Sequence, residues 1–119
     1  MGQSSSARVK KVKPFPFSAE LNWGGKQVTM QILNLNTRGA IVDLKQNFIK
    51  IGDECQCTFE LPVLHSNIQI YAKAVKTYDQ FLPKADSNGN RIQRLCELQF
   101  LNLSSGFKFE LERFLSLIG

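Results

Sequence analysis

The side chains in this sequence that are best suited to binding chemistry fall into two segments. The first thirteen residues contain no acidic residue and four basic ones, Arg8, Lys10, Lys11 and Lys13. The later segment 34–39 contains the polar or conformationally permissive residues Asn34, Asn36, Arg38 and Gly39. Amides and a guanidinium can hydrogen-bond to phosphate oxygens or base edges, and a glycine lets the backbone approach a ligand closely. The two segments together predict a site for a phosphorylated ligand.

The same residues also have a plainer interpretation, which the sequence alone leaves open. Basic amino-terminal arms are commonly solvated, and asparagine-rich turns with a glycine are common between strands. The net charge of +5 is concentrated in residues 1–13, because the rest of the chain holds eleven basic and ten acidic residues. The positive field therefore belongs to the arm, which suits an anionic ligand or surface.

The residue types that catalysis requires are scarce. The chain has one histidine, His65, in a predicted loop, and its acidic residues show no close pair framed by apolar residues. Neither GxxxxGK[ST] nor GxGxxG occurs. Cys55, Cys57 and His65 offer three metal ligands at most, whereas the cysteines share a parity with large apolar neighbours and so resemble core residues. We predict a protein that is not an enzyme and has no metal or cofactor.

Length and composition indicate one globular domain. The chain has 119 residues, of which 43% are hydrophobic and 21% charged, and its three cysteines do not suggest a disulfide framework. No apolar run approaches the roughly 18 residues of a membrane span, and the start lacks the apolar part of a signal peptide. We therefore expect a cytoplasmic protein without membrane insertion.

Apolar residues alternate with polar ones along most of the chain, which predicts about six short strands. Gly24 and Gly25 are expected to close a hairpin, Pro62 to end a strand, and segment 34–39 to form a turn. The stripe that begins at Ile68 is expected to continue inward as far as Tyr78. The predicted strands lie at residues 15–23, 28–32, 40–44, 54–61, 68–78 and 96–100.

The end of the chain changes to a helical period. Ser104 or Ser105 can cap a helix, and one apolar stripe follows at Phe107, Leu111, Phe114, Leu115 and Ile118. We predict a helix over residues 104–118 that covers an open end or a sheet face of a barrel. The predicted organisation is a flexible basic arm at 1–13 and a β-barrel domain at 14–119 that includes this helix.

The run from Ile32 to Leu44, ILNLNTRGAIVDL, resembles the [D/N]-x-S-x-x-G turn of the PilZ family with its flanking strands. The surroundings are similar too: a basic segment precedes the first strand, as the family's R-x-x-x-R motif does. The strand ending FELP at 59–62 and the final strand and helix at 96–118 also resemble the family. The resemblance covers residues 8–118. It implies an all-β fold with a terminal helix, namely a small six-stranded antiparallel PilZ-type barrel closed by a C-terminal α-helix.

The resemblance further implies cyclic di-GMP (c-di-GMP) as the ligand, held by arginines at its phosphates and guanine faces. Asn34 occupies the Asp/Asn position of the turn motif, Gly39 its glycine, and Asn36 stands where serine is usual. The arm departs from the family, because Arg8 is its single arginine and Val12 stands four residues later. Lysine lacks the planar fork of arginine. The loss of two charged hydrogen bonds would weaken binding by about a hundredfold or more.

These observations leave three hypotheses. The leading one is a PilZ-type c-di-GMP receptor or effector in which ligand binding orders the arm across the barrel and alters the surface seen by a partner protein. The second is a PilZ-fold adaptor that has lost the nucleotide and acts by protein contact, with Phe48, Tyr71 and Phe81 as exposed candidates. The third, a barrel for single-stranded nucleic acid, is less favoured because most aromatic residues share the inward parity.

Overall fold

The computed structural model describes residues 14–45, 47–86 and 89–118 of the 119-residue chain. The predicted arm, including Arg8, Lys10, Lys11 and Lys13, lies outside these ranges. Within them the chain forms six strands and one helix: β1 (Phe17–Trp23), β2 (Lys26–Leu35), β3 (Gly39–Asp43), β4 (Glu54–Glu60), β5 (Asn67–Phe81), β6 (Ile92–Leu101) and α1 (Ser105–Ile118).

The strands close into an antiparallel barrel in the order β1-β2-β3-β6-β5-β4. The β1–β2 hairpin turns at Gly24 and Gly25, whose φ angles of 56° and 76° are unfavourable for other residues. The barrel is closed where β1 pairs with β4, with Leu21 opposite Cys57. The six-stranded barrel with a C-terminal helix confirms the predicted fold class.

The core consists of the inward side chains of all six described strands together with two helix residues. The predicted inward stripes 55–61, 68–74 and 96–100 are buried at alternate positions. The central members, each less than 2% exposed, include Leu21, Met30, Ile32, Val42, Leu44, Leu61, Ile68, Cys96, Leu111 and Phe114. Burying each large apolar side chain contributes about 1.5–3 kcal/mol, so the barrel has no need of a disulfide.

All three cysteines belong to this core, as the parity of the sequence predicts. The sulfur atoms of Cys55 and Cys57 lie 3.8 Å apart. The hydrogen bond with Cys55, together with burial, raises the pKa of the Cys57 thiol. Burial also raises the pKa of Cys96, to about 12. The thiols of Cys57 and Cys96 therefore stay protonated at neutral pH, whereas the hydrogen bond with Cys57 lowers the pKa of the Cys55 thiol. All three thiols are shielded from solvent.

Helix α1 covers the end of the barrel at which β1 begins. The Ser104 side-chain oxygen accepts a hydrogen bond of 3.1 Å from the Phe107 amide and so caps the first turn. The fully buried Phe114 meets the rings of Phe15 and Phe17 edge-on, at centroid distances of 6.2 and 6.3 Å. The predicted helix and its apolar stripe are confirmed. No helix in the described ranges is both long and apolar enough to cross a membrane.

A hydrogen bond from the loop between β4 and β5 anchors the solvent side of α1. The Ser66 hydroxyl donates to the Glu110 carboxylate at 2.5 Å, and this bond is the main reason that the pKa of Glu110 lies below its usual value. The Arg113 guanidinium, 3.1 Å from the same carboxylate, acts in the same direction. The helix is therefore held by apolar packing on one side and by a polar contact on the other.

A β-bulge in β2 changes which side chains face the core. The pairing of β2 with β3 shifts register between Ile32 and Asn34. Met30 and Ile32 are buried, and the extra residue Leu33 makes Leu35 the next buried position. Asn34 consequently faces outward instead of into the barrel. The strand also continues through Leu35, so the turn occupies 36–38 and is shorter than the predicted segment 34–39.

A second bulge, in β5, corrects the predicted direction of Tyr78. The pairing of β5 with β6 shifts between Ala74 and Lys76, after which Thr77 lies opposite the buried Cys96. Tyr78 therefore does not continue the inward stripe that ends at Ala74. It shares the outer face with Lys76, whose ammonium lies 5.3 Å from the centre of the Tyr78 ring.

Burial of the thiols has a measurable consequence. We expect the native protein to react with Ellman's reagent at least about a hundredfold more slowly than the urea-unfolded chain, because all three thiols are buried in the barrel and inaccessible to the reagent. The measurement is the rate of thionitrobenzoate release at mildly alkaline pH. Titration of all three thiols in urea is the control. Fast reaction of any thiol in the native protein would contradict this account of the core.

Candidate functional site

A cavity of about 470 Å³ opens on the outer face of the barrel beside the β2–β3 turn. Its walls come from the end of β2, the turn, the start of β3, the bulge of β5 and the second half of β6. The residues that line it are Asn34, Leu35, Asn36, Arg38, Gly39, Ala40, Ile41, Val75, Glu97, Leu98 and Gln99. The structure thus brings together all four site residues predicted from segment 34–39.

Asn36 shapes the turn through its side chain. Its amide oxygen accepts hydrogen bonds from the backbone nitrogens of Arg38, at 2.7 Å, and Gly39, at 3.0 Å. Its own backbone nitrogen donates to the Gly39 carbonyl at 2.9 Å. A serine hydroxyl can accept the same kind of local bond, which explains how asparagine can stand at a serine position. Within the described ranges, the Asn36 NH₂ group makes no hydrogen bond.

Gly39 is required by the close approach of two backbones. A Cβ atom at this position would collide with the Leu98 carbonyl oxygen, and would lie only 3.0 Å from the Leu98 carbonyl carbon. The strands are joined here, because Gly39 pairs with Gln99 and the Phe100 nitrogen donates to the Arg38 carbonyl at 2.7 Å. The glycine therefore holds the turn against β6 and closes one side of the cavity.

Asn34 and Arg38 supply polar groups that remain available to a ligand. The Asn34 side-chain oxygen accepts a bond from the Leu35 nitrogen at 2.8 Å, which orients the amide group. Arg38 is exposed, and no hydrogen bond or ion pair to its guanidinium is found within the described ranges. A guanidinium without a protein partner can bind phosphate oxygens through two parallel bonds.

Sequence reasoning missed the other residues that line the cavity, among them the outward-facing Ile41, Val75, Glu97 and Gln99. Only the strand register reveals them, since Gly39 pairs with Gln99 and Ile41 with Glu97. Their outward parity was visible in the sequence, but parity does not say which strand lies next to the turn. Val75 reaches the cavity because of the bulge in β5.

The predicted arm residues lie outside the described ranges, but the point from which the arm departs is defined. Phe17 of β1 pairs with Ile32 of β2, two residues before Asn34. The described chain therefore starts, at Pro14, at the end of the barrel that carries the 36–38 turn. Residues 1–13 are attached at this end.

The cysteines and the histidine do not form a common site. His65 is exposed, and its ring Nδ1 lies 2.6 Å from the Glu60 carboxylate, whereas Cys55 and Cys57 are inside the barrel. In the part of the chain that the structure describes, no group of three or more His, Cys, Asp or Glu residues could hold a metal ion.

The barrel is closed, has six antiparallel strands and is capped by a C-terminal helix. A glycine-bearing turn lies beside its outer cavity. Together these features define the PilZ class of fold. Comparison with solved structures agrees. The chain is similar to the PilZ domain with c-di-GMP of YcgR from Escherichia coli, with a TM-score of 0.71 and 14% identity over 87% of this chain and 82% of that one. It is also similar to the Bacillus subtilis inhibitor of motility MotI/DgrA, with a TM-score of 0.68 and 16% identity over 89% of this chain.

The chain spans only about half of the second structure, 46% of its length. No protein-family model matches the sequence, and no curated protein matches it either. Identities of 14% and 16% establish similarity of fold alone. The chain has the PilZ fold, and the resemblance inferred from its sequence is confirmed at that level.

The steric role of Gly39 predicts a specific sensitivity to substitution. We expect Gly39→Ala to lower the free energy of unfolding by about 3 kcal/mol, because the added methyl group must push β3 away from the Leu98 backbone. Gly106→Ala is the matched control: nothing lies within 4 Å of its added Cβ, and the site is helical. It should be neutral or stabilising by up to about 1 kcal/mol. Urea denaturation measures both, and equal effects would contradict the steric account.

Proposed function

We propose that the protein is a PilZ-type receptor for c-di-GMP that acts without catalysis and transmits ligand binding to a partner protein. The observation that carries the proposal is the convergence of Asn34, Asn36, Arg38 and Gly39 on one outer cavity of a PilZ fold. Further support comes from a structural neighbour of the same fold whose PilZ domain is described with c-di-GMP.

The cavity offers the kinds of contact that a cyclic dinucleotide needs. In this proposal the Arg38 guanidinium and the turn backbone bind a phosphate, and the amides of Asn34 and Asn36 bind polar groups of a guanine. Ile41 and Val75 provide apolar walls against which a base face can pack. Neutral amides and one cation suit a ligand with a charged backbone and uncharged bases.

The arm would supply the remaining positive charge. Arg8, Lys10, Lys11 and Lys13 lie on a segment attached at the end of the barrel beside the turn. We propose that they pair with the phosphates when the ligand is bound and that the arm becomes ordered over the cavity. Three of the four are lysines, which bind phosphate as point charges and stack poorly on guanine. A moderate affinity is therefore expected.

Calorimetric titration with c-di-GMP tests the receptor proposal. We expect saturable binding that weakens about tenfold in Arg38→Ala, since one charged hydrogen-bonding group is lost. Arg94→Ala is the matched control, because Arg94 is also an exposed strand-side arginine but pairs with Asp79 at 3.2 Å, away from the cavity. Its affinity should equal that of the unmodified protein. Absence of binding heat at a few hundred micromolar ligand would reject the receptor proposal.

A second candidate function, a protein-binding adaptor, is favoured by exposed apolar side chains. Phe48, Tyr71 and Phe81 are 66%, 59% and 78% exposed, as the adaptor hypothesis requires. Phe81 pairs with the exposed Ile92 at the tip of the β5–β6 hairpin, which extends beyond the pairing of β6 with β3. A partner at this tip would leave the nucleotide cavity open, so a contact there does not require the nucleotide.

A co-purification experiment separates the adaptor from the receptor. If the adaptor function is correct, the Arg8→Ala and Asn34→Ala variants retain a captured partner with or without c-di-GMP. Phe81→Ser loses it, because this substitution removes the contact at the hairpin tip. Phe109→Ser is the control, since Phe109 is comparably exposed, at 58%, but lies on α1. Capture that requires nucleotide, or that is indifferent to Phe81→Ser, would argue against a nucleotide-independent contact at the tip.

A further inference from the structure

One feature of the cavity does not suit a general phosphate site. Glu97 is the single carboxylate among the described residues that line the cavity, whose other polar members are amides and one arginine. A carboxylate repels the phosphates of a ligand at short range. A carboxylate is therefore favourable in an anion site only where it faces a neutral part of the ligand that donates hydrogen bonds.

Within the described ranges, the Glu97 carboxylate has no protein partner that would explain its position in the cavity. Its cross-strand neighbour is Lys76, on the same outer face. The Lys76 ammonium instead lies 5.3 Å from the centre of the Tyr78 ring. Across the described ranges, no hydrogen bond or ion pair engages the Glu97 side chain. The carboxylate is therefore available to accept hydrogen bonds from a bound molecule.

The register separates Glu97 from the cationic end of the cavity. Gly39 pairs with Gln99 and Ile41 with Glu97, so Glu97 lies two strand residues, about 7 Å, from the turn. A phosphate held at the turn by Arg38 would therefore be clear of direct contact with the carboxylate. The apolar Ile41 and Val75 lie beside Glu97 in the cavity wall. The cavity thus has a cationic end that matches a nucleotide's phosphate, an apolar wall that matches the face of its base and a hydrogen-bond acceptor that matches the edge of the base.

The chemistry of base edges identifies which base this acceptor fits. Guanine presents two adjacent donors on its Watson–Crick edge, N1–H and the exocyclic amino group, which two carboxylate oxygens can bind side by side. Adenine presents one donor next to the N1 lone pair, which a carboxylate would repel. Hypoxanthine keeps N1–H but lacks the amino group.

We propose that Glu97 is the specificity-determining residue of the site and binds the Watson–Crick edge of one guanine. This inference rests on the proposed function and assigns the base selectivity to a β6 residue outside the turn and the arm. Glu97 acts on the base and Arg38 on the phosphate, so the two residues make separable contributions to binding.

The test compares three cyclic dinucleotides by calorimetric titration: c-di-GMP, its hypoxanthine analogue and its adenine analogue. For the unmodified protein we expect the guanine ligand to bind at least about tenfold more tightly than the hypoxanthine ligand and the adenine ligand to bind weakest. Glu97→Gln should weaken c-di-GMP binding by about tenfold or more and largely abolish the preference for it over the hypoxanthine analogue. Arg38→Ala should weaken all three ligands by a similar factor.

Glu112→Gln is the matched control, an exposed carboxylate on α1 that does not line this cavity. It should leave affinity and selectivity unchanged, and unfolding curves should show that Glu97→Gln remains folded. If c-di-GMP binds and Glu97→Gln alters neither affinity nor selectivity, the assignment of Glu97 is overturned while the receptor proposal stands. A uniform loss for all three ligands also overturns it, since selectivity is then set elsewhere. No binding of any ligand by the unmodified protein rejects both.

Discussion

The contact on which the site depends is the close approach of the β3 backbone to the β6 backbone at Gly39. Because no side chain intervenes, the Leu98 carbonyl lies where a Cβ would be, and the 36–38 turn is held directly against β6. This approach places the turn amides and Arg38 beside the outward side chains of β6. The cavity lies beside this contact, and both strands contribute to its walls.

Two β-bulges complete the arrangement, one on each side of the cavity. The bulge at Leu33 brings Asn34 to the outer face, and the bulge at Val75 brings an apolar side chain to the opposite wall. Bulges occur in barrels where a strand must bend or redirect a side chain. Here the strand that supplies the amide and the strand that supplies the apolar wall are both redirected. The core is preserved because, after each extra residue, the strand resumes its alternation of inward and outward side chains.

The two ends of the barrel have different surfaces. One end carries the turn, the start of the described chain and helix α1, and the opposite end carries the exposed apolar tip of the β5–β6 hairpin. Two of the strands that line the cavity, β5 and β6, also form the hairpin. β5 and β6 therefore run from the cavity to the apolar hairpin tip, with the bulge at Val75 between them, so the proposed nucleotide and protein sites share these two strands.

Much of the fold was determined by the sequence itself. Alternation of apolar and polar residues defined the strands, and a change of period marked the helix. The parity of Cys55, Cys57 and Cys96 with apolar neighbours predicted their burial, because local periodicity reports which face of an element is buried. The sequence also identified Asn34, Asn36, Arg38 and Gly39 as a group. It did not reveal Ile41, Val75 or Glu97 as their neighbours, and it predicted the wrong direction for the Tyr78 side chain. Strand register and bulge positions depend on pairing between distant segments, so only the tertiary structure decided them.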